Sequence, residues 1–396
     1  MQVGIGLSSA RDHLQATKEA VVQARANLRK DKIDFVIVFT TPEFAHPLIL
    51  KTITNLVGPI PILGCSGLAV ISNQGGLKDG LGIILVRLSE EIHFNVAVIK
   101  EISVKSALHA GEELGEKLLL GLRGTPRNLS LIFSDGLIPN HAGLLNGLQE
   151  KLGLSFPLVG ACASDNLFFK KKKTYIYFNQ EILSDAACGL IWTGKVNFAL
   201  GIRHGWKPLG KPRLVTRSEG NIIYEIDHQP AVKIYEEYLA RDVANLKKDL
   251  KTISILYPLG IPISAEEEYL LRNIISIQED GSLVFQGNIP EGCSVRMMIG
   301  TKESCLQATQ QAAEEVKMRL GSRESKFVLV FDSVSRYMLL GRQAEQEIQI
   351  IKNNLGKDIP FLGIYTYGEQ APLKAISYLG RTYFHNQTIT LVGIGG

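Results

Sequence analysis

The sequence predicts a two-domain α/β protein: repeated helix–strand–helix–strand units forming mixed, largely parallel sheets with helices on the faces. Three observations carry this expectation. Short apolar runs rich in β-branched and aromatic residues recur at Phe35 to Thr40, Leu129 to Ser134 and Phe327 to Asp332, with the length and composition of covered strands. Each is followed by a helix-length segment and then by Pro-x-x-Gly, at Pro61 to Gly64, Pro157 to Gly160 and Pro360 to Gly363. The chain has 396 residues, whereas single cores stop growing at roughly 250–300.

Each unit opens with an amphipathic helix: His13 to Arg29, Ser106 to Leu122 and Ser304 to Leu320. The first and third share a tetrapeptide, Leu14-Gln15-Ala16-Thr17 against Leu306-Gln307-Ala308-Thr309. The apolar strand and a second helix follow. Pro then opens another strand, where its missing N–H is tolerated, and Gly closes it at a tight turn. A last strand ends each unit, at Leu81 to Leu88, Ala187 to Thr193 and Ile389 to Ile394. The units cover about 1–95, 96–200 and 295–396.

A differently patterned region, Val196 to Gly292, separates the second and third units. It reads as a strand (Val196 to Ile202), a Gly/Pro-rich turn (Gly205 to Pro212) and an apolar stretch (Asn221 to Ile226). Pro230 opens a helix running to about Asp249, Pro being favoured in a first turn. A strand (Ile253 to Tyr257) and a hairpin about Gly281, between Ile274 to Gln278 and Ser282 to Gln286, follow. Linker-like residues from Trp206 to Glu219 place the boundary, giving domains 1–210 and 211–396.

Composition narrows the function. Hydrophobic residues make up 45% and charged ones 21%, an ordinary globular balance. A net charge of +4 is too mild to argue for nucleic acid or an anionic membrane as partner. Five cysteines without a C-x-x-C pair fit a reducing cytosol better than a disulfide framework or structural zinc. Met1 to Arg11 lacks the apolar core of a secretion signal, and no apolar run is long enough to span a membrane. A cytoplasmic location is expected. Lys170 to Lys173, flanked by Phe168-Phe169 and by Tyr175 and Tyr177, reads either as a single-strand-binding surface or as a solvated hairpin edge that blocks aggregation.

Ligands of open α/β sheets bind beyond the carboxyl ends of strands. That rule selects Cys65 and Ser66 in the first unit and Asp165 in the second. In the third it selects Asp332, Ser333 and Arg336, then Tyr365, Thr366, Tyr367, Gly368 and Glu369, with His385 and Asn386 in the last turn. Arg336 and Glu369 would complement a zwitterion, the guanidinium fork taking a carboxylate. The alternative is a structural ion pair between Arg336 and Asp332 or Glu369. A Cys- or Ser-dependent amidase or hydrolase using Cys65 or Ser66 is a rival reading, and a ligand-free interaction scaffold is another. The hydrolase needs a neighbouring base, and His46, His141, His204 and His385 are the candidates. Gly-Cys-Ser-Gly is not a hydrolase elbow, and Ala161 and Ile364 replace Cys65 in the other units. His385 has no ligand-type residue at i+3 or i+4 to support a metal. The Gly-rich stretches fit no phosphate or dinucleotide pattern, so no metal or cofactor is expected.

Taken together, these stretches resemble the FIST family, named for F-box and intracellular signal transduction. The carriers are Gly64-Cys65-Ser66, Gly160-Ala161, Gly205 to Pro208 and Val215 to Asn221 in the first part. In the second they are Tyr257 to Gly260, Asp280 to Leu283, Pro290 to Gly292, Phe331 to Arg336, Pro360 to Pro372 and Phe384 to Thr388. The resemblance implies FIST N-like and FIST C-like halves. It also implies an intracellular, non-catalytic sensor in signal transduction that binds a small polar metabolite, possible amino acids included. Output would pass through a separate signalling protein, and the oligomeric state is left open. Ser333 stands where the family often has Cys, which argues against a thiol mechanism there.

Overall fold

The computed structural model describes residues 1–28, 32–122, 126–167, 172–263, 268–321, 325–356, 358–373 and 380–395. The three sequence units become three equivalent six-stranded sheets. In the first, the edge strand Gln2–Ser8 pairs with Leu81–Arg87, which pairs with Phe35–Thr40, which pairs with Ile62–Ser66. The second repeats this order with Ile92–Lys100, Ala186–Gly194, Arg127–Ser134 and Leu158–Cys162. The third repeats it with Asn197–Arg203, Ile389–Gly395, Ser325–Ser333 and Phe361–Thr366.

Each sheet is completed by a hairpin from another unit. Ile176–Phe178 and Glu181–Leu183 of the second unit join the first sheet. Gly368–Pro372 and Thr382–His385 of the third join the second. Val70–Ser72 and Gly75–Leu77 of the first join the third. The exchange is cyclic, so no unit finishes its sheet alone.

Among the described residues only the central pair of each of these three sheets is parallel. The expectation of largely parallel sheets is therefore corrected. The closing strand inserts between the first and central strands, antiparallel to both. Pro-x-x-Gly also has another cause than the turn expected. Gly64, Gly160 and Gly363 lie within strands, and a Cβ on each would sit 1.8 to 1.9 Å from a carbonyl oxygen of Val38, Ile132 or Val330. Close approach of the parallel pair, not a turn, demands glycine there.

Alternation along the strands divides the core. Inner faces of all three sheets form one cluster that includes Phe35, Phe39, Leu131, Phe133, Trp192, Leu329 and Phe331. At its end Phe39, Phe133 and Phe331 meet edge to face, with centroids 5.5, 5.9 and 6.2 Å apart. Outer faces are covered by helices His13–Ala26 and Pro47–Val57, Ala107–Leu119 and His141–Leu152, and Lys302–Leu320 and Ala344–Leu355.

The intervening region is an insert within the third unit, between its first strand and first helix. Asn197–Arg203, assigned from sequence to this region, is the edge strand of the third sheet. The 210/211 division falls inside the long strand Lys207–Glu219. The insert has its own eight-stranded sheet and its own core, with Tyr235, Leu259, Phe285 and Met297. The expected helix from Pro230 is broken: Gln229–Pro230 pairs with Ile222–Ile226, and helices Lys233–Leu239 and Val243–Lys248 are separated by Ala240 in a left-handed conformation. The expected strand Ile253 to Tyr257 is a helix, Leu250–Leu256, burying Ile253. A short apolar run does not by itself distinguish the two. The hairpin about Gly281 is present, Ile274–Ile277 pairing with Leu283–Phe285.

Phe168 to Lys171 lie outside the described residues. Lys172 and Lys173 are exposed, over the rings of Tyr367 and Tyr175 at 5.8 and 5.2 Å. The strand after them, Ile176–Phe178, is paired on both sides, so these lysines do not guard a sheet edge.

Candidate functional site

Strand alternation decides where the predicted residues go. The aromatic trio faces the central core, so the next residues, Thr40, Ser134 and Asp332, face outward under the helices. All three are buried.

In the third unit this position is ionic. Ser333 caps the helix Val334–Leu340, which places Arg336 one turn beyond Asp332. Arg336 is 0% exposed. Its Nε donates to Asp332 Oδ1 at 2.8 Å, Nη1 to the His204 carbonyl at 2.7 Å, and Nη2 to Thr309 Oγ1 at 2.7 Å and the Cys305 carbonyl at 3.1 Å. Nη2 also pairs with Glu347. Burial, then the nearby charge of Glu347, pushes the Asp332 carboxyl well above its usual range. The fully buried guanidinium is held at all three nitrogens by groups of the protein itself. The zwitterion reading of Arg336 is thus corrected to the structural alternative, in which it closes on Asp332.

Glu369 stands apart from that pair. Its Oε1 accepts from Thr366 at 2.9 Å, and its Oε2 from the Thr388 hydroxyl at 2.6 Å. Burial raises its pKa to about 8, against these stabilising hydrogen bonds.

In the second unit the equivalent cluster is neutral. Ser134 Oγ donates to Cys162 Sγ at 3.3 Å, and Gln370 Nε2 donates to Ser134 Oγ at 2.8 Å. Cys162 Sγ lies 3.3 Å from His141 Nδ1. Burial pushes the thiol up to about 12 and the imidazole down to about 4, so neither is charged near neutral pH. In the first unit, Thr40 and the Tyr177 hydroxyl share a 2.6 Å hydrogen bond.

Cys65 points into the central core, and burial raises its thiol pKa. Ser66 donates to the Ser164 carbonyl at 2.9 Å and accepts from the Tyr175 N–H at 3.0 Å. His141, one of the bases considered for Cys65, is engaged by Cys162 instead. The Asp165 carboxylate accepts the Tyr367 hydroxyl at 2.7 Å and the Leu167 N–H at 2.7 Å. Gly368 and Asn386 are buried, and Asn386 Nδ2 donates to the His385 carbonyl at 3.2 Å. Tyr365 is buried against the Tyr337 ring at 4.7 Å.

Open space lies elsewhere. Two adjoining compartments, of about 290 and 350 Å³, share Lys172, Ile275, Gln286 and Tyr367 in their walls. They form a cleft where strand ends of the second and third units face the insert. Ser333, Thr366 and Tyr367 of the predicted set line it. The insert adds Lys251, Ser254, Asn273 and Gln286. Gln286 Nε2 donates to the Tyr367 carbonyl at 2.7 Å, and Asn273 Nδ2 to Ser335 Oγ at 3.2 Å. Two lysines and no carboxylate line the cleft among the described residues, so it favours an anionic or hydrogen-bonding guest.

His385 opens to a different cavity, of about 460 Å³, lined also by His204, Trp206, Lys207, Tyr269 and Thr388. Tyr367 and His385, both selected from the sequence as residues beyond strand ends, thus line separate hollows. Glu369 lies in the wall, bonded on one side to Thr366 of the cleft and on the other to Thr388 of the second cavity. Sequence reasoning missed the insert's contribution. Asn273 and Gln286 carry no local signal and reach the cleft only because the insert folds over the third unit. Among the described residues no cluster of three or more His, Cys, Asp or Glu could hold a metal. No helix there is long and apolar enough to cross a membrane.

Comparison with known families finds that residues 34–229 match the FIST N domain and residues 231–372 the FIST C domain. An uncharacterized protein of Methanocaldococcus jannaschii is 23% identical over 79% of this chain, and the alignment spans 63% of that relative's length. An uncharacterized protein of Mycobacterium bovis is 20% identical over 99% of this chain and 98% of its own length. Among solved structures, a cyanuric acid hydrolase covers 99% of this chain and 99% of its own at 5% identity and a TM-score of 0.37. The cyanuric acid hydrolase of A. caulinodans covers 100% of this chain and 99% of its own at 7% identity and a TM-score of 0.38. Likeness at that level carries no argument about chemistry.

Proposed function

The chain belongs to the FIST family, with FIST N and FIST C domains in succession, and from that premise we propose that it is a non-catalytic sensor. Its ligand is a small polar metabolite bearing a carboxylate, an amino acid being one such molecule. Binding takes place in the cleft between the third unit's strand ends and the insert. The sensor works in the cytosol and passes its signal to a separate protein.

One observation carries this reading: the cleft walls combine Lys172 and Lys251 with the hydroxyls and amides of Ser333, Ser335, Tyr367, Asn273 and Gln286, and hold no acid among the described residues. A carboxylate would take the ammonium groups, and the neutral polar groups would fix its orientation. The position also suits a sensor. A guest there touches two separately built cores, and its differential contacts could bias their arrangement. Cys65 and Ser66, the nucleophiles of the rival hydrolase, are both enclosed, which weighs against that chemistry.

Titration calorimetry with a panel of amino acids and small carboxylates tests the proposal. A saturable ligand should bind at least tenfold more weakly to Lys251→Ala and to Tyr367→Leu. Unchanged affinity in both variants would remove the cleft as the site.

A further inference from the structure

The second cavity has a built polar floor of its own. His204 Nδ1 accepts the Trp206 backbone N–H at 2.9 Å, so its proton sits on Nε2. His385 bonds the Ala371 carbonyl through Nε2 at 2.9 Å. A carbonyl only accepts, so that nitrogen carries the proton and Nδ1 keeps a lone pair. Neither His204 Nε2 nor His385 Nδ1 has a protein partner among the described residues, although His385 is only 2% exposed. Both rings line the cavity. Burial first, then each other's proximity and the nearby arginines, keeps His204 neutral, with its pKa down to about 3. Burial likewise brings His385 down to about 4.

The floor therefore offers one N–H donor beside one lone-pair acceptor. A hydroxyl can satisfy both at once, accepting from one ring and donating to the other. A metal ion is a poor match, because the lone pair of His204 is already used by Trp206. Arg203 and Lys207 supply positive charge in the same lining, alongside the carboxylate of Glu268. Arg203 is paired with Glu315 at 2.8 Å, while Lys207 is exposed.

We propose that this cavity is a second binding site, for a small hydroxycarboxylate whose hydroxyl bridges His204 Nε2 and His385 Nδ1 and whose carboxylate meets Lys207. The inference uses none of the cleft residues and stands independently of the function proposed above.

The test is titration of the full chain with glycolate and lactate, against acetate and propionate as partners lacking the hydroxyl. Histidine ring proton shifts and calorimetry provide the readouts. Glycolate or lactate should saturate the shifts of two histidines, and acetate and propionate should bind at least tenfold more weakly. Lys207→Ala, an exposed change, should weaken binding about tenfold, and His385→Gln should abolish the preference for a hydroxyl. Tyr367→Leu should leave binding unchanged. Should His385→Gln fail to fold, the wild-type shifts and Lys207→Ala decide. Absence of saturation with either hydroxy acid overturns the proposal. So does equal binding of acetate and glycolate, or loss in Tyr367→Leu with retention in Lys207→Ala, which would move the guest to the cleft.

Discussion

The second and third units place the same strand end under the same pair of helices, yet fill it with opposite chemistry. Ser134, Cys162, His141 and Gln370 make a neutral cluster in one. Asp332, Arg336 and Glu347 make an ionic one in the other. Both are closed to solvent. The difference teaches that a polar group after an apolar strand does not by itself mark a binding site in this fold. Where the helix layer covers the strand end, polar groups bond each other. Where the insert stands off from it, they line a cleft.

Substitutions can break or sharpen that contrast. The largest effects are expected where the units are alike and where the ionic cluster is cut. Phe39→Ala, Phe133→Ala and Phe331→Ala should each cost about 3–5 kcal/mol in urea unfolding, and by similar amounts, because the three rings share one contact. A single costly member would deny the equivalence. Arg336→Ala should cost a comparable 3–5 kcal/mol, roughly, since it strands two buried carboxyl groups. Ser134→Ala, in the corresponding neutral cluster, should cost only about 1–3 kcal/mol. Equal costs for these two variants would erase the distinction between the clusters.

A subtler effect is expected with pH. Glu369 has a folded pKa of about 8, above its ordinary value of 4.5, so between these values the folded state holds a proton that the unfolded chain releases. Its contribution is complete below pH 4.5 and fades as pH rises through 8. His141, His204 and His385 act in the opposite sense, being held neutral when folded. The difference between wild type and Glu369→Gln isolates the carboxyl. The variant should gain on wild type between pH 6 and pH 9, and a constant difference across that range would show that Glu369 does not titrate there.

Much of the architecture is legible in the sequence, because repetition is a strong signal. The recurring FVIVFT, LSLIFS and FVLVFD runs are the central strands, and each Pro-x-x-Gly strand lies parallel beside its partner. The cyclic hairpin exchange is not legible. Val70–Leu77 looks like a local turn, and nothing in it says that it pairs with Phe361–Thr366 instead of its own sheet. The site is legible only in part. Ser333, Thr366 and Tyr367 reach the cleft, whereas Asp332, Arg336 and Glu369 of the same stretch are enclosed by the protein's own groups, Asp332 facing outward under the helices as strand alternation requires. The meeting of Tyr367 with Asp165 at 2.7 Å links positions 202 residues apart, a separation that no local pattern reports.

Hydrogen exchange of the free and metabolite-saturated chain tests most directly the claim that binding occurs where the insert stands over the third unit. The account predicts new protection in residues 250–256, 273–288 and 333–338, with little change at residues 35–66. Protection confined to residues 35–66, or spread evenly over all three units, would contradict it.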